Sequence, residues 1–334
     1  MGGRVWIRST MASVIQLVVG LAALVGGAEL VVRNGAALAA RLGVPPMVIG
    51  LTIVSIGTSA PELAVGIDAM RANAGSLAIG NIAGTNVVNL LLILGLCALL
   101  RPVHFDRRTL LLDLPSVVIV AVLVLGLTAG GQLATWTGIP LVTLAVVYTV
   151  ALGLWSKRSR DPRPVEEIEE LIDGVGGHGA GRRTWLYLVL LVVGIAVIVV
   201  GADWLVGAAE SLARAMGVSD AFIGLTVIAI GTSTPELFTA IISTFRGERD
   251  IAIGNLIGSS TYNLTLILGV PVLVSGGSGP IDPSLLRIDL PLMVAVCLLC
   301  IPLFLTGRRL SKLEGGVMVA CYLAYFTALV LTQG

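Results

Sequence analysis

Long apolar runs, broken by short polar turns, fill almost the whole chain. They fall near residues 13–41, 45–70, 76–100, 110–128, 133–156, 184–214, 220–245, 251–274, 286–306 and 314–333. Each is about as long as a helix needs to cross a bilayer. The pattern predicts an all-α polytopic membrane protein of about ten transmembrane helices. Only residues 157–183 form a long polar stretch, with basic residues first, then Glu166, Glu167, Glu169, Glu170 and Asp173, then glycines. We read it as a linker between a first half, 1–156, and a second, 184–334. The letters Gly174-x-Gly176-x-x-Gly179 match a dinucleotide fingerprint, but no strand precedes them.

Two runs carry polar residues where the pattern calls for apolar ones. Gly57-Thr58-Ser59-Ala60-Pro61-Glu62 lies mid-run, and Gly231-Thr232-Ser233-Thr234-Pro235-Glu236 repeats it in the second half of the chain. The offset between the two copies holds without a gap. Gly50 to Glu62 matches Gly224 to Glu236 at 9 of 13, and Ile79 to Gly95 matches Ile253 to Gly269 at 10 of 17. The repeat cores are thus 45–100 and 219–274. Five spans separate matching points, and five is odd, so the halves insert with opposite orientation. Inverted repeats with Pro-broken helices in matching positions are the sequence signature of a secondary transporter with its site near the midplane.

Composition narrows the class. The chain is 56% apolar and only 12% charged, against about 25% charged in ordinary soluble domains. Net charge +1 gives no general attraction to nucleic acid. With the N-terminus outside, sixteen basic residues face the cytoplasm and five face out, although Arg4 and Arg8 run against that assignment locally. This orientation makes the linker cytoplasmic and the protein an integral inner-membrane one. Cys97, Cys297, Cys300 and Cys321 all lie in apolar runs, so Cys297-x-x-Cys300 reads as packing rather than redox chemistry.

The chemistry concentrates at the two breaks. A carboxylate at that depth costs roughly 2.5 to 3.5 kcal/mol, so Glu62 and Glu236 need partners. Pro61 and Pro235 each remove a backbone donor and leave carbonyls upstream without helical partners. Thr58 and Glu62 are four apart, as are Thr232 and Glu236, and would share a face on a regular helix. Thr85 with Asn89, and Ser259 with Asn263, repeat that spacing. The glycine pairs 80/84 and 254/258 form small-residue surfaces for close helix approach. The donors are all oxygen, which suits a hard cation, and two carboxylates balance one divalent or two monovalent ions. Calcium fits an all-protein site better than magnesium, which gives up water reluctantly. One site that holds either load but not both is an exchanger by competition. Glu29, followed by Arg33, reads as a structural or gating pair, and Asp113-x-Pro115 and Asp289-x-Pro291 as interfacial anchors. No nucleophile–base–orienter set suggests an enzyme.

The doubled Gly-Thr-Ser-x-Pro-Glu, each followed by Gly-Asn-x-x-Gly-[Thr/Ser], resembles the two α-repeats of the sodium/calcium exchanger family. The match is to its short prokaryotic members of ten spans. The resemblance implies calcium/sodium antiport with no prosthetic group, by a protein functional as a monomer in the bilayer. It implies calcium at Glu62 and Glu236, with oxygens from Thr58 and Thr232. Ser59, Ser233, Thr85 and Ser259 are implied at flanking sodium positions, with backbone oxygen from Ser55 and Ala229, and Asn89 and Asn263 in the middle. Some exchangers of this kind carry Asp where this chain has Asn263, and calcium/proton antiport at the same site is the alternative reading.

Overall fold

The computed structural model describes residues 2–158, 180–215 and 231–333. Most of the linker and the first part of the seventh run, which includes Ala229, lie outside the described residues. Among the described residues, seven helices are long and apolar enough to cross a membrane, and a bent pair makes an eighth. In chain order these are span 1 (Ala12–Leu42), span 2 (Pro46–Thr58 and Ala60–Arg71), span 3 (Gly75–Leu100), span 4 (Thr109–Thr128) and span 5 (Thr135–Ser156). Span 6 (Thr184–Ala209), span 8 (Arg249–Ser275) and span 9 (Leu285–Leu305) complete the eight. Helix Thr234–Arg246 is the second part of span 7, and Lys312–Gln333 is span 10. Each of the ten runs read from the sequence thus carries a helix among the described residues.

The packing follows the duplication. Spans 1 and 6 lie along each other, and glycines let them approach. A Cβ on Gly20 would stand 2.9 Å from Gly201 O, and one on Gly27 the same distance from Gly194 O. Gly194 and Gly201 are the repeat counterparts of Gly20 and Gly27, at the same offset that separates Glu236 from Glu62. Each glycine therefore meets the repeat mate of the other. A two-fold axis in the membrane plane generates that pattern, because residue i then meets the counterpart of j while j meets the counterpart of i. Span 10 packs on span 3 and span 5 on span 8, again as related pairs.

Two short antiparallel ribbons obey the same relation. β1 (Val103–His104) follows span 3 and pairs with β4 (Arg309–Leu310), which follows span 9. β2 (Gln132–Ala134) follows span 4 and pairs with β3 (Gly277–Pro280), which follows span 8. Each ribbon joins two loops that emerge from the same face, one after odd-numbered spans and the other after even-numbered ones. That is what oppositely inserted halves require.

Several spans contain π-helical turns, at Gly50–Val54, Val88–Ile93, Thr109–Asp113, Asn263–Ile267 and Leu285–Asp289. The second and fourth occupy matching places in spans 3 and 8, and the third and fifth in spans 4 and 9. A π-turn adds a residue to the helix and turns the face that follows, and such turns concentrate at functional sites.

Asp113, expected as an interfacial anchor, lies in the first turns of span 4 and is packed inside the protein. It is fully buried, accepts a hydrogen bond from Tyr148 Oη at 3.1 Å, and lies 3.6 Å from Nε of the buried Arg108. Asp289 repeats the tie by accepting from Tyr325 Oη at 3.0 Å. The two acids cross-link spans 4 to 5 and 9 to 10, because a carboxylate drawn from water must find donors. Glu29 does pair with Arg33, at 3.3 Å, but its closer partner is Arg246 at the end of span 7, at 2.7 Å.

Candidate cation site

Span 2 breaks at Ser59 and its two parts meet at 44°. Ser59 has φ −84° and ψ 14°, and Ser233 in span 7 has φ −83° and ψ 3°. Both values lie in the sparsely populated bridge between the helical and extended regions. Pro61 and Pro235 stand in the first turns of the helices that follow, where a missing N–H is one that would lack a partner in any case. The prolines thus start new half-helices rather than kinking continuous ones. The shared face expected for Thr58 with Glu62 does not exist in regular form, since Thr58 ends one helix and Glu62 lies in the first turn of the next.

That arrangement gives each glutamate a favourable field. Glu62 and Glu236 lie in N-terminal first turns, where the helix dipole favours negative charge. The half-helix ending at Thr58 presents its carbonyl end to the same break, which favours a cation. Both glutamates are fully buried, and Ser59, at the break just before the helix of Glu62, reaches Glu236. Ser59 Oγ crosses between the halves and donates to Glu236 Oε1 at 3.0 Å. Neither break serine caps its own helix through its side chain.

Among the described residues, most of the others expected lie on elements packed around this pair. Thr58 and Ser55 are fully buried, and the Ser55 hydroxyl is within 2.6 Å of Gly50 O and 3.0 Å of Asn255 O. Ser259 is fully buried within 3.5 Å of Asn255 Oδ1. Asn89 and Asn263 fall in the matching π-turns. The turn of Asn89 packs against the helix bearing Glu236, and that of Asn263 against the helix bearing Glu62. Their four-residue spacing from Thr85 and Ser259 therefore runs into π-helix rather than along an α-helical face. Thr85 and Ser233 are buried, while Thr232 is half-buried.

Two residues not anticipated from the sequence belong to the cluster. Asn255 Oδ1 accepts from Thr58 Oγ1 at 3.2 Å, and Asn81 Oδ1 accepts from Thr232 Oγ1 at 3.4 Å. They are the Asn of the repeated Gly-Asn-x-x-Gly. That motif reads as helix packing because its glycines catch the eye, yet an Asn doubled at the same offset was the available signal. Much of the cluster has no protein partner. Both carboxylate oxygens of Glu62, Glu236 Oε2, both amide atoms of Asn89 and Asn263, and the hydroxyls of Thr85 and Ser233 are buried and unpaired, as are Nδ2 of Asn81 and Asn255. Each such group costs about 1 to 3 kcal/mol if left unsatisfied. Among the described residues no three His, Cys, Asp or Glu side chains come together, so the formal charge of the cluster is that of two acids.

Ten spans in inverted halves, with paired acids at two broken helices, define a polytopic ion-transporter fold. The chain belongs to the sodium/calcium exchanger family: residues 12–154 and 186–331 match the family model described as sodium/calcium exchanger protein. It is 35% identical over 331 residues to the inner membrane protein YrbG of Escherichia coli, covering 95% of this chain and 98% of that one. It is 33% identical over 320 residues to the putative antiporter CaxA of Alkalimonas amylolytica, covering 94% and 98%. Against the sodium/calcium exchanger MaX1 of Methanosarcina acetivorans it is 31% identical over 343 residues, covering 94% and 97%. The structure superposes on that of the sodium-calcium exchanger NCX_Mj with a TM-score of 0.80 at 25% identity, covering 95% and 98%. The protein is thus a multi-pass cation/calcium antiporter, and its family and fold are those of a transporter rather than an enzyme.

Proposed function

We propose that the chain exchanges calcium for sodium by alternating access, with Glu62 and Glu236 holding one calcium ion or its sodium replacement. The observation that carries this reading is the set of buried, unpaired oxygens around two carboxylates drawn from opposite halves. Hard-cation sites of this kind need six to eight flexible oxygens for calcium. Thr58 and Thr232 add neutral oxygens to the acids. Ser59, Ser233, Thr85 and Ser259, with backbone oxygen from Ser55 and Ala229, supply the smaller flanking cages that sodium needs, and Asn89 and Asn263 complete the middle. Two negative charges cannot compensate a full calcium and a full sodium load together, so the loads compete.

The basic residues orient this monomeric antiporter in the inner membrane with the N-terminus outside and the linker 157–183 cytoplasmic. Halves 1–156 and 184–334 then rock about the fixed site. Proteoliposomes holding the purified chain test the coupling when sodium, potassium and proton gradients are imposed one at a time. Radioactive calcium uptake should require an opposing sodium gradient. Uptake driven by a pH step without sodium would select calcium/proton antiport, and uptake indifferent to every counter-ion would remove the exchange reading.

A further inference from the structure

Asn81 and Asn255 occupy matching positions in the two repeats, each directly after a glycine. Each reaches across to the other half, although Asn255 Oδ1 also lies 3.5 Å from Ser259 Oγ on its own span. Asn255, on span 8, takes the hydroxyl of Thr58 on span 2, and Asn81, on span 3, takes that of Thr232 on span 7. The grip of Asn255 is the tighter. Its side chain is fully buried, and its own backbone oxygen receives Ser55 Oγ at 3.0 Å. The helices can meet there because Gly50, Gly254 and Gly258 present bare backbone to one another.

A hydroxyl has one proton and two lone pairs. A threonine that gives its proton to an amide oxygen keeps both lone pairs for a cation, and the hydrogen bond polarises its oxygen toward negative charge. Without Asn255, the Thr58 hydroxyl is left to the Glu236 carboxylate, which it would cover with its proton, or to Ser55 O, 3.4 Å away on its own helix. Donating to Ser55 O turns the side chain back along the helix. An amide suits the task because it accepts a proton without adding a third negative charge to the two acids.

We propose that Asn81 and Asn255 are positioning residues of the cation site, each orienting the threonine of the opposite half so that its oxygen faces the ion. Calcium binding then draws on both halves at once. This inference rests on the reading of Glu62 and Glu236 as the calcium pair.

Double-mutant cycles test it, read as equilibrium binding of radioactive calcium to the full chain purified in detergent. Asn255→Ala and Thr58→Val should each weaken binding about tenfold, the scale of one net hydrogen bond at its upper end. The double variant should be no weaker than either single one. Asn255→Ala combined with Thr232→Val should lose about a hundredfold, since those residues belong to different pairs. Asn81 should couple to Thr232 and not to Thr58. Thr58→Ser, which keeps the hydroxyl, should bind close to the parent level, a rescue that simple loss of packing would not show. Asn255→Ser, too short to reach Thr58, serves if the alanine variant does not fold, and should bind as weakly. Additive losses within a pair, or parent-level affinity in the asparagine variants, overturn the proposal while leaving the calcium site standing if Glu62→Gln still abolishes binding. Calcium binding that ignores Glu62→Gln and Glu236→Gln overturns both.

Discussion

Gly254→Ala is a sharp perturbation of the contact that assembles the site. A Cβ at residue 254 would stand 2.6 Å from Met47 O and 3.0 Å from Leu51 N, where ordinary contact begins at 3.4 Å. The overlap with Met47 O is therefore about 0.8 Å, and both neighbours are backbone, so no rotamer change relieves it. Overpacking of this kind costs about 1 to 3 kcal/mol. It must part span 8 from span 2, and the Thr58–Asn255 bond at 3.2 Å has little slack before it fails. Alanine also gains up to about 1 kcal/mol in helix propensity, which partly hides the clash. Gly26→Ala supplies the control: it is helical and exposed, and its Cβ would meet nothing within 4 Å. A thermal-shift assay in detergent, run with and without calcium, should show Gly26→Ala at or above the parent midpoint and Gly254→Ala below it. Calcium should stabilise Gly254→Ala less than it does the parent, because binding requires the parted helices to close. Equal midpoints for the two variants, with equal calcium shifts, would refute the close span 2–span 8 contact.

Other outcomes follow from the same geometry. Ser59→Ala removes a hydrogen bond to a charged acceptor, worth about 1.5 to 3 kcal/mol, and should weaken sodium competition more than calcium binding in paired titrations. Tyr148→Phe leaves buried Asp113 without its 3.1 Å donor and should destabilise the protein by about 1 to 3 kcal/mol, with calcium affinity nearly unchanged; a matched loss of affinity would contradict the separation of that pair from the site. Asn263→Asp adds a third acid and should make calcium uptake newly dependent on pH in proteoliposomes. In the loop before span 9, the backbone N–H and hydroxyl of Ser284 hold the exposed Asp282 carboxyl below its usual range. The loop stability this contributes is present above the ordinary aspartate pKa and is lost as pH falls through the lowered one. Hydrogen-exchange protection factors, taken against the intrinsic rate at each pH, should therefore fall on acidification across residues 281–289 in the parent and change less in Asp282→Asn.

Much of this fold is legible in the sequence because membrane helices obey local rules. Apolar length fixes the spans, and the odd number of spans between the two copies of the repeat fixes their inversion. The doubled Pro-Glu marks the breaks, since proline and a buried acid are both costly within a span. What escaped depends on three-dimensional neighbours. The helical spacing of Thr85 and Asn89 suggests one face, but a π-turn intervenes, and π-turns have no reliable sequence mark. Asp113 reads as an anchor from its place near a span end, but its partner Tyr148 lies on the next span, where no local pattern points to it. The partner of Thr58 is Asn255, in the other half, so no local pattern announces it.

The central claim is that two acids from oppositely inserted halves jointly hold one calcium ion that sodium displaces. Calcium-binding isotherms on the purified chain, with sodium titrated against a fixed calcium load, address it directly. Losing one member of such a buried charge cluster costs about 2 to 5 kcal/mol, or roughly thirty- to several-thousandfold in affinity. The account predicts one calcium per chain, displaced by sodium with a slope above one, and binding lost on that scale in Glu62→Gln and Glu236→Gln alike. Calcium affinity near the parent level in either variant, or binding that sodium leaves untouched, would contradict it.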